Sequence, residues 1–404
     1  MNTETLDQPI VADVAVSAPA VVIESAAPAV AAVAEGPNPF IALGLDGALV
    51  RAVSDLGYTQ PTEVQAKVIP LAMGSGKADE ASIDLMVSSQ TGSGKTAAFL
   101  LPVLNTLIAQ KAIEAAAEQA EFERQRAQAA ASGEAAPKRA KRKNPMQSRN
   151  FKAAVPGALV LCPTRELAQQ VAQDAIELVK HCKNLRVANV VGGMPYQLQI
   201  AKLQNADLVV ATPGRLLDLQ RSLQIKLDKV QFLVVDEADR MLDLGFADDL
   251  EEVHQMTAQR KQTMMFSATF APRIQQLAMR VMHDGGANVQ KITIATPQQG
   301  HDNIQQKLYW ADHAQHKRKL LDHWLRDTTI NQAIVFASTQ VECDGLAQDL
   351  AEAGFSAAAL HGALSQGLRN RRLRALREGQ IQILVATDVA ARGIDVPTIT
   401  HVFN

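Results

Sequence analysis

The stretch that most constrains the fold of this 404-residue chain is residues 232–239, Phe-Leu-Val-Val-Asp-Glu-Ala-Asp. Four consecutive apolar residues are typical of a strand buried on both faces of a parallel sheet, and here they stop at two adjacent carboxylates. In open α/β sheets ligands bind beyond the carboxyl ends of strands, so we expect Asp236 and Glu237 to project into a site. The periodicity alone favours a core strand with polar residues at its exit, and the segment upstream overturns that interpretation.

A second short apolar run, at residues 85–87, leads into the segment 88–96, Ser-Ser-Gln-Thr-Gly-Ser-Gly-Lys-Thr, and then into a helix-like apolar stretch. Strand, Gly-rich loop, Lys-Thr and helix together form a phosphate cradle. Its backbone N–H groups and helix N-terminus point at the phosphates, Lys95 adds a charge, and the Thr96 hydroxyl ligates Mg²⁺. Ser89 stands where the general pattern G-x-x-x-x-G-K-[ST] has its first glycine.

A phosphate loop that begins with Ser89, together with Asp-Glu-Ala-Asp at 236–239, is the signature of one family. The sequence resembles the bacterial DEAD-box RNA helicases over residues 38–404, apart from one insertion. The resemblance implies an α/β fold with two RecA-like parallel-sheet domains in tandem, the second incomplete at its C-terminus. It also implies an ATP-dependent RNA helicase, with ATP and Mg²⁺ as cofactors, that couples ATP binding and hydrolysis to RNA binding and local duplex unwinding.

The resemblance assigns the nucleotide site. Lys95, Asp236 and Glu237 are the expected catalytic residues: Asp236 and Thr96 hold Mg²⁺, and Glu237 positions or deprotonates the attacking water. An aromatic residue lies 17 positions before a Gly-aromatic pair and a later glutamine follows it, which implies that Phe40 packs on adenine while Gln65 pairs with the edge of the base. The expected nucleotide-binding residues are Phe40, Gln60, Gln65, Ser89, Gln90, Thr91, Gly92, Ser93, Gly94, Lys95, Thr96, Gly393 and Asp395.

Hydroxyls, arginines and exposed backbone amides follow several other apolar runs, as binding a phosphodiester chain without reading its bases requires. In the family these segments grip the RNA backbone. The expected RNA contacts are Pro163, Thr164, Arg165, Gly192, Gly193, Thr212, Pro213, Gly214, Arg215, Ser338, Thr339 and Thr387. Ser267 and Thr269 are expected to couple ATP state to unwinding through hydrogen bonds to the region of Asp239. Arg369 and Arg392 fit interdomain ion pairs and RNA contacts equally well, and His361 is assigned no chemistry.

Composition predicts the domain boundaries. Residues 1–37 are rich in Ala, Val and Pro and contain no Lys or Arg, which predicts a disordered tail and excludes a secretory signal. Residues 38–286 form the expected ATP-binding domain, with a charged insertion at 108–152. Residues 287–303 form the expected linker, and 304–404 the second domain.

Charge and composition limit the partners. Five of the six residues at 138–143 are basic, which fits either a solvated, mobile face or an auxiliary contact with RNA phosphates. The net charge of −2 gives no global basic field, so RNA must be bound by a local groove. No apolar stretch is expected to approach the ~18 residues that span a bilayer. We therefore expect a cytoplasmic monomer with no membrane partner, whose protein partners bind through the tail or the insertion.

The three cysteines, Cys162, Cys182 and Cys343, lack zinc-type spacing and fit reduced thiols.

The family pattern continues past Asn404 into a segment whose arginines reach the γ-phosphate, so we expect the chain as given to bind ATP but to hydrolyse it poorly. Two alternatives stay open: a clamp that binds ATP and RNA without turnover, and a DNA-directed helicase. A dependence of nucleic-acid binding on the 2′-OH would distinguish an RNA helicase from a DNA-directed helicase.

Overall fold

The structure is a computed structural model that describes residues 38–74, 83–89, 92–132, 152–294, 304–391, 394, 396 and 398–404. Strands and helices alternate along the chain, as expected of βαβ units. The elements up to residue 294, here called the first lobe, are α1 Gly47–Asp55, α2 Glu63–Met73, β1 Leu85–Ser88, α3 Lys95–Ser132, β2 Ala158–Leu161, α4 Arg165–Leu178, β3 Val187–Val190, α5 Tyr196–Leu203, β4 Leu208–Ala211, α6 Pro213–Arg221, β5 Phe232–Val235, α7 Ala238–Asp243, α8 Ala247–Met256, β6 Gln262–Ser267, α9 Pro272–Val281 and β7 Gln290–Thr293.

The second lobe, residues 304–404, repeats the alternation. Its elements are α10 Ala314–Leu325, β8 Ala333–Ala337, α11 Gln340–Glu352, β9 Ala357–Leu360, α12 Gln366–Arg377, β10 Ile383–Thr387, α13 Asp388–Ala391 and β11 His401–Phe403.

Each lobe is built on one parallel sheet. The first sheet has the strand order β3-β4-β2-β5-β6-β1-β7 and the second has the order β11-β8-β10-β9. Every strand pair in both sheets is parallel. The prediction of an α/β fold with two parallel sheets is therefore confirmed. Because the strands of a sheet all point the same way, the loops that follow them lie along one edge.

The apolar run of β5 is continuous because both faces of the sheet are covered. Phe232 and Val234 belong to the hydrophobic cluster formed with α1–α4. Leu233 and Val235 alternate with them and belong to the cluster formed with α6–α9. Successive side chains of a strand point to opposite faces, so two helical layers require two apolar faces. Strand β5 ends at Val235, so Asp236 lies at the edge of the sheet.

The predicted start of the linker is wrong. Strand β7 pairs with β1, with Gln290 opposite Leu85, so the first sheet extends into the 287–303 segment. In this edge strand the side chain of Ile292 is buried and those of the other three residues are exposed. A polar four-residue edge strand has no apolar run, and composition therefore could not distinguish it from a linker.

Helix α3 is 38 residues long and extends from the phosphate loop into the predicted insertion. Residues 108–132 of the predicted insertion are therefore helical, whereas the tail at 1–37 and the basic run at 138–143 lie outside the described residues. Within the described part of the chain, Lys95–Ala129 is long and apolar enough to cross a membrane by length and composition, which corrects the expectation that no such stretch exists. Half of its apolar window is buried inside the fold, as in the core helix of a globular protein.

Candidate active site

The loop between β1 and α3 is shaped by two glycines in left-handed backbone conformations. Gly92 has a φ of 77° and Gly94 a φ of 89°, values that glycine adopts without the cost a Cβ imposes. A Cβ on Gly94 would lie 2.6 Å from Gln65 Nε2, so any side chain there would displace Gln65. Lys95 opens α3, and its ammonium donates to the Ser89 carbonyl at 3.3 Å. The loop therefore brings backbone amides, a helix N-terminus and a cation together, which is a site for phosphates.

Two carboxylates follow β5 directly. Asp236 is 3% exposed, and burial raises its pKa to about 7, although the charge of Lys95 acts in the opposite direction. Glu237 has left-handed backbone angles, φ 51° and ψ 53°, which are uncommon for a residue with a side chain and concentrate at functional sites. Arg240 Nε lies 3.3 Å from Glu237 Oε2. The strand end thus presents one buried carboxyl group and one restrained by an arginine.

These groups surround one cavity of about 970 Å³. The predicted residues that line it are Gln60, Gln65, Gly92, Gly94, Lys95, Thr96, Asp236 and Glu237. The second lobe contributes Phe336, Asp388, Ala391 and Ile394 to its wall. The cavity therefore lies where both lobes meet, and its volume is in the range of sites that hold a cofactor.

The prediction that Phe40 packs on the base is not supported by the packing. Its side chain is completely buried in the cluster shared with α1–α4, because it anchors the segment that precedes α1. Tyr58 lines the cavity instead, and burial raises the pKa of its phenol. Ser89 and Ser93 do not line the cavity. The remaining predicted contacts, Gln90, Thr91, Gly393 and Asp395, lie outside the described residues.

Gln65 is fixed in place before any ligand binds. Its Oε1 accepts from the Thr62 backbone N–H at 3.0 Å, which completes a capping box on α2, and its Nε2 donates to the Gly94 carbonyl at 3.1 Å. A carboxamide has two lone pairs and two protons, so one acceptor and one donor position remain. Gln65 can therefore support the phosphate loop and still pair with a base.

The residues present fit Mg²⁺ bound together with a nucleotide. Within the described ranges no group of three or more His, Cys, Asp or Glu could hold a metal ion by itself. Mg²⁺ is usually held by one or two protein groups, phosphates and water, so it does not need such a cage. Thr96 and Asp236 both line the cavity beside the phosphate loop and would be those two groups.

The predicted RNA contacts of the first lobe follow β3, β4 and β2, which are neighbours in the sheet, and so form one row. Thr164 caps α4 by accepting from the Leu167 N–H at 3.3 Å. The Arg215 guanidinium lies 5.6 Å from the centre of the Tyr196 ring. The row consists of Pro163, Thr164 and Arg165 after β2, Gly192 and Gly193 after β3, and Thr212, Pro213, Gly214 and Arg215 after β4.

The predicted contacts of the second lobe lie at the ends of the paired strands β8 and β10. The exposed Ser338 donates its backbone N–H to Glu342 Oε2 at 2.9 Å, and Thr339 caps α11 by accepting from the Glu342 N–H at 3.1 Å. Thr387 is the last residue of β10. The structure thus brings each predicted RNA segment to the carboxyl edge of its sheet.

Comparison with known proteins agrees with this geometry. The DEAD/DEAH box helicase family matches residues 62–277, and the helicase conserved C-terminal domain matches residues 315–404. The chain belongs to the DEAD-box helicase family. Among curated DEAD-box relatives, the ATP-dependent RNA helicase SrmB of Escherichia coli is 38% identical over 90% of this chain and 71% of its own length. RhlB of Pseudomonas syringae pv. tomato is 35% identical over 92% and 82%, and DeaD of Mycobacterium tuberculosis is 37% identical over 90% and 55%.

Solved DEAD-box structures share the fold. Dbp5 of S. cerevisiae bound to RNA and ADP BeF3 superposes with a TM-score of 0.70 at 28% identity, covering 91% of this chain and 80% of Dbp5.

A contact between the lobes joins Arg369 to a partner that the sequence analysis did not predict. Arg369 Nη2 lies 2.8 Å from Glu166 Oε1, and Gln366 Nε2 donates to the same oxygen at 3.0 Å. Arg165 Nη1 in turn donates to Gln366 Oε1 at 3.3 Å. Of the two interpretations left open for Arg369, the structure shows the interdomain ion pair, whereas Arg392 lies outside the described residues. No local signal could have paired Glu166 with residues 200 positions away.

The predicted hydrogen bond between Ser267 and the region of Asp239 in this DEAD-box protein is not formed. Ser267 Oγ is buried without a hydrogen-bond partner among the described residues. Its backbone carbonyl accepts from the Ser89 N–H at 3.2 Å, which ties the end of β6 to the phosphate loop instead. Thr269 is exposed beyond the strand, and Asp239 lies in the first turn of α7, where its charge contributes to the raised pKa of Asp236.

Proposed function

We propose that this chain is an ATP-dependent RNA helicase that couples ATP binding and hydrolysis to RNA binding and local duplex unwinding. The observation that carries the proposal is the cavity where Lys95, Asp236 and Glu237 of the first lobe meet Asp388 of the second. The row of predicted RNA contacts lies on the same sheet edge, on β2, which pairs with β5, and on β4 and β3 beyond it. A change at the cavity can therefore reach the RNA site through one sheet and through the contact between lobes.

Each residue at the cavity has a distinct proposed task. When bound, Mg·ATP supplies the phosphoryl group and the metal charge that offsets the negative charge on its phosphates. Lys95 and the loop amides hold the phosphates, while Thr96 and Asp236 hold the metal. Glu237 orients the attacking water or accepts its proton, and its restrained backbone fixes the direction of its carboxylate. Gln65 and Tyr58 form the end of the cavity proposed for the base.

The RNA site is proposed to recognise the sugar-phosphate backbone. Arg165 and Arg215 supply cations, and glycine-containing turns supply backbone amides, which position a nucleic acid without reading its sequence. Closure of the lobes around ATP would bend the bound strand so that it no longer fits a duplex, and reopening would follow hydrolysis. We further propose that the protein acts in the cytoplasm as a monomer, with residues 1–37 and the insertion available to protein partners.

ATP hydrolysis with and without single-stranded RNA tests the proposal. In a chain extended through the arginine-bearing segment of the family pattern, we expect RNA to stimulate hydrolysis and DNA of the same sequence to stimulate it less, because 2′-hydroxyl contacts are lost. Glu237→Gln should retain nucleotide binding and lose at least about 100-fold in turnover, the usual range for a lost general base. Asp236→Asn should also weaken Mg²⁺-dependent nucleotide binding.

Equal turnover by the wild type and Glu237→Gln would contradict the assignment of Glu237. Equal stimulation by RNA and DNA would favour a DNA-directed helicase. Binding of both ATP and RNA by the wild type without turnover would favour the clamp.

A further inference from the structure

A buried glutamine spans the turn that follows β3. Gln199, on the first turn of α5, is 1% exposed. Its Oε1 accepts from the Val191 backbone N–H at 3.1 Å, and its Nε2 donates to the Met194 carbonyl at 3.1 Å. Both functional atoms of the carboxamide are therefore bonded to the two ends of the 191–194 loop. The N-cap residue of α5, Pro195, makes no side-chain hydrogen bond, and the Gln199 carboxamide is bonded to the preceding loop.

The loop that Gln199 holds supports Arg165. A Cβ on Gly192 would lie 3.1 Å from Arg165 Nη2, and a Cβ on Gly193 would lie 2.9 Å from Arg165 Nη1. The guanidinium thus packs directly on the backbone of the two glycines. The Cβ added to Gly193 would also lie 3.1 Å from Gln366 Cβ of the second lobe. With its φ of 77°, Gly193 is the point at which this loop, the arginine and the second lobe meet.

We propose that Gln199 is a positioning residue for RNA: it fixes the 191–194 loop and thereby fixes the Arg165 guanidinium for a backbone phosphate. The inference rests on the proposed function, because it takes Arg165 as an RNA contact. Without the carboxamide, the buried Val191 N–H loses its acceptor, and the loop must move to satisfy it. A shift of the loop removes the surface on which the guanidinium lies. The nucleotide cavity does not include Gln199 and should not respond.

The affinity of the full chain for labelled single-stranded oligo(U), at saturating AMP-PNP and Mg²⁺, tests the proposal. Gln199→Met keeps the side-chain volume and removes both hydrogen bonds, and we expect about a tenfold loss of RNA affinity. Gln199→Glu keeps the acceptor, loses the donor and should give a smaller loss. Affinity for a fluorescent ATP analogue should stay within about twofold of the wild type for both variants. Unchanged RNA affinity in either folded variant would overturn the proposal.

Gln204 offers a matched control. It is a buried glutamine at the other end of α5, 6% exposed, and its Nε2 has no hydrogen-bond partner among the described residues. Gln204→Met should leave RNA affinity unchanged. A loss equal to that of Gln199→Met would show a general effect of disturbing α5 and would overturn the specific role.

A double-mutant cycle shows whether Gln199 acts through Arg165. Residues in one network give non-additive effects, so Gln199→Met should cost little further RNA affinity in an Arg165→Ala background. Additive losses would contradict the proposed route.

Hydrogen exchange measures, without RNA, whether Gln199 holds the 191–194 loop. Gln199→Met should accelerate exchange of the Val191 amide while amides of the phosphate loop keep their wild-type rates. If the wild type binds no RNA but the exchange of the Val191 amide responds to Gln199→Met, the proposed function fails, whereas the role of Gln199 in holding the loop stands. Unchanged exchange of the Val191 amide would show that Gln199 does not hold the loop and would overturn the proposal.

Discussion

The Arg369 guanidinium lies 2.8 Å from Glu166 Oε1, and this ion pair joins α12 of the second lobe to α4 of the first. The side chains are only 9% and 7% exposed, and burial lowers the pKa of Arg369 while the Glu166 charge opposes that shift. Gln366 donates to the same carboxylate oxygen. The pair adjoins Arg165, so the contact between lobes and the predicted RNA row share one network.

Replacing Arg369 should weaken the closed arrangement. Arg369→Ala leaves the Glu166 carboxylate buried without its cation, and breaking such a pair costs roughly 3–5 kcal/mol. We expect a larger radius of gyration by small-angle scattering in the presence of AMP-PNP and RNA. Arg374→Ala is the control on the same helix, because Arg374 is 80% exposed and its pair with Glu378 is worth little. An unchanged radius for Arg369→Ala would show that the pair does not hold the lobes together.

Gln65 should affect both the choice of base and the phosphate loop. Its carboxamide supports Gly94 and retains one donor and one acceptor for adenine. Gln65→Ala should therefore reduce the preference for ATP over GTP by roughly 1–3 kcal/mol, the range for one bidentate base contact, and also weaken binding of both nucleotides. Competition titrations measure the two effects separately. A wild type that binds ATP and GTP equally would refute the pairing with adenine.

The stability of the first lobe should fall in mild acid because of His254. Its Nδ1 lies 2.7 Å from Arg260 Nη2, which can only donate, and 3.0 Å from the Val281 carbonyl, which can only accept, so the two neighbours favour opposite protonation states of this nitrogen. Burial, followed by the charge of Arg260, lowers the pKa of His254 from 6.5; His283 acts in the same direction, whereas Glu251 and the hydrogen bond with the Val281 carbonyl act against it.

A histidine with a lowered pKa in the folded state binds fewer protons there than in the unfolded chain. Its contribution to stability is therefore complete above about pH 6.5 and is lost as the pH falls below that value. Urea unfolding at pH 7.5, 6.5 and 5.5 should show a smaller decline for His254→Gln than for the wild type. Parallel declines would mean that His254 does not titrate with unfolding.

The nucleotide site could be predicted from local sequence because its residues lie in short continuous motifs. Lys95 and Thr96 follow a strand and open a helix, and Asp236 ends another strand, so each position follows from a short pattern. Contacts between distant segments could not be predicted in the same way. Glu166 meets Arg369 only after both lobes have folded. Phe40 has the spacing of a base contact, yet spacing cannot distinguish a side chain that faces a cavity from one that anchors the core.

The coupling between nucleotide and RNA is the central claim, and the affinity for RNA as a function of nucleotide tests it most directly. Single-stranded RNA should bind the wild type at least about fivefold more tightly with Mg·AMP-PNP than without, since a coupling of 1–3 kcal/mol is typical of linked sites. Lys95→Ala should lose this difference while keeping the affinity measured without nucleotide. Equal RNA affinity with and without the nucleotide in the wild type would contradict the account.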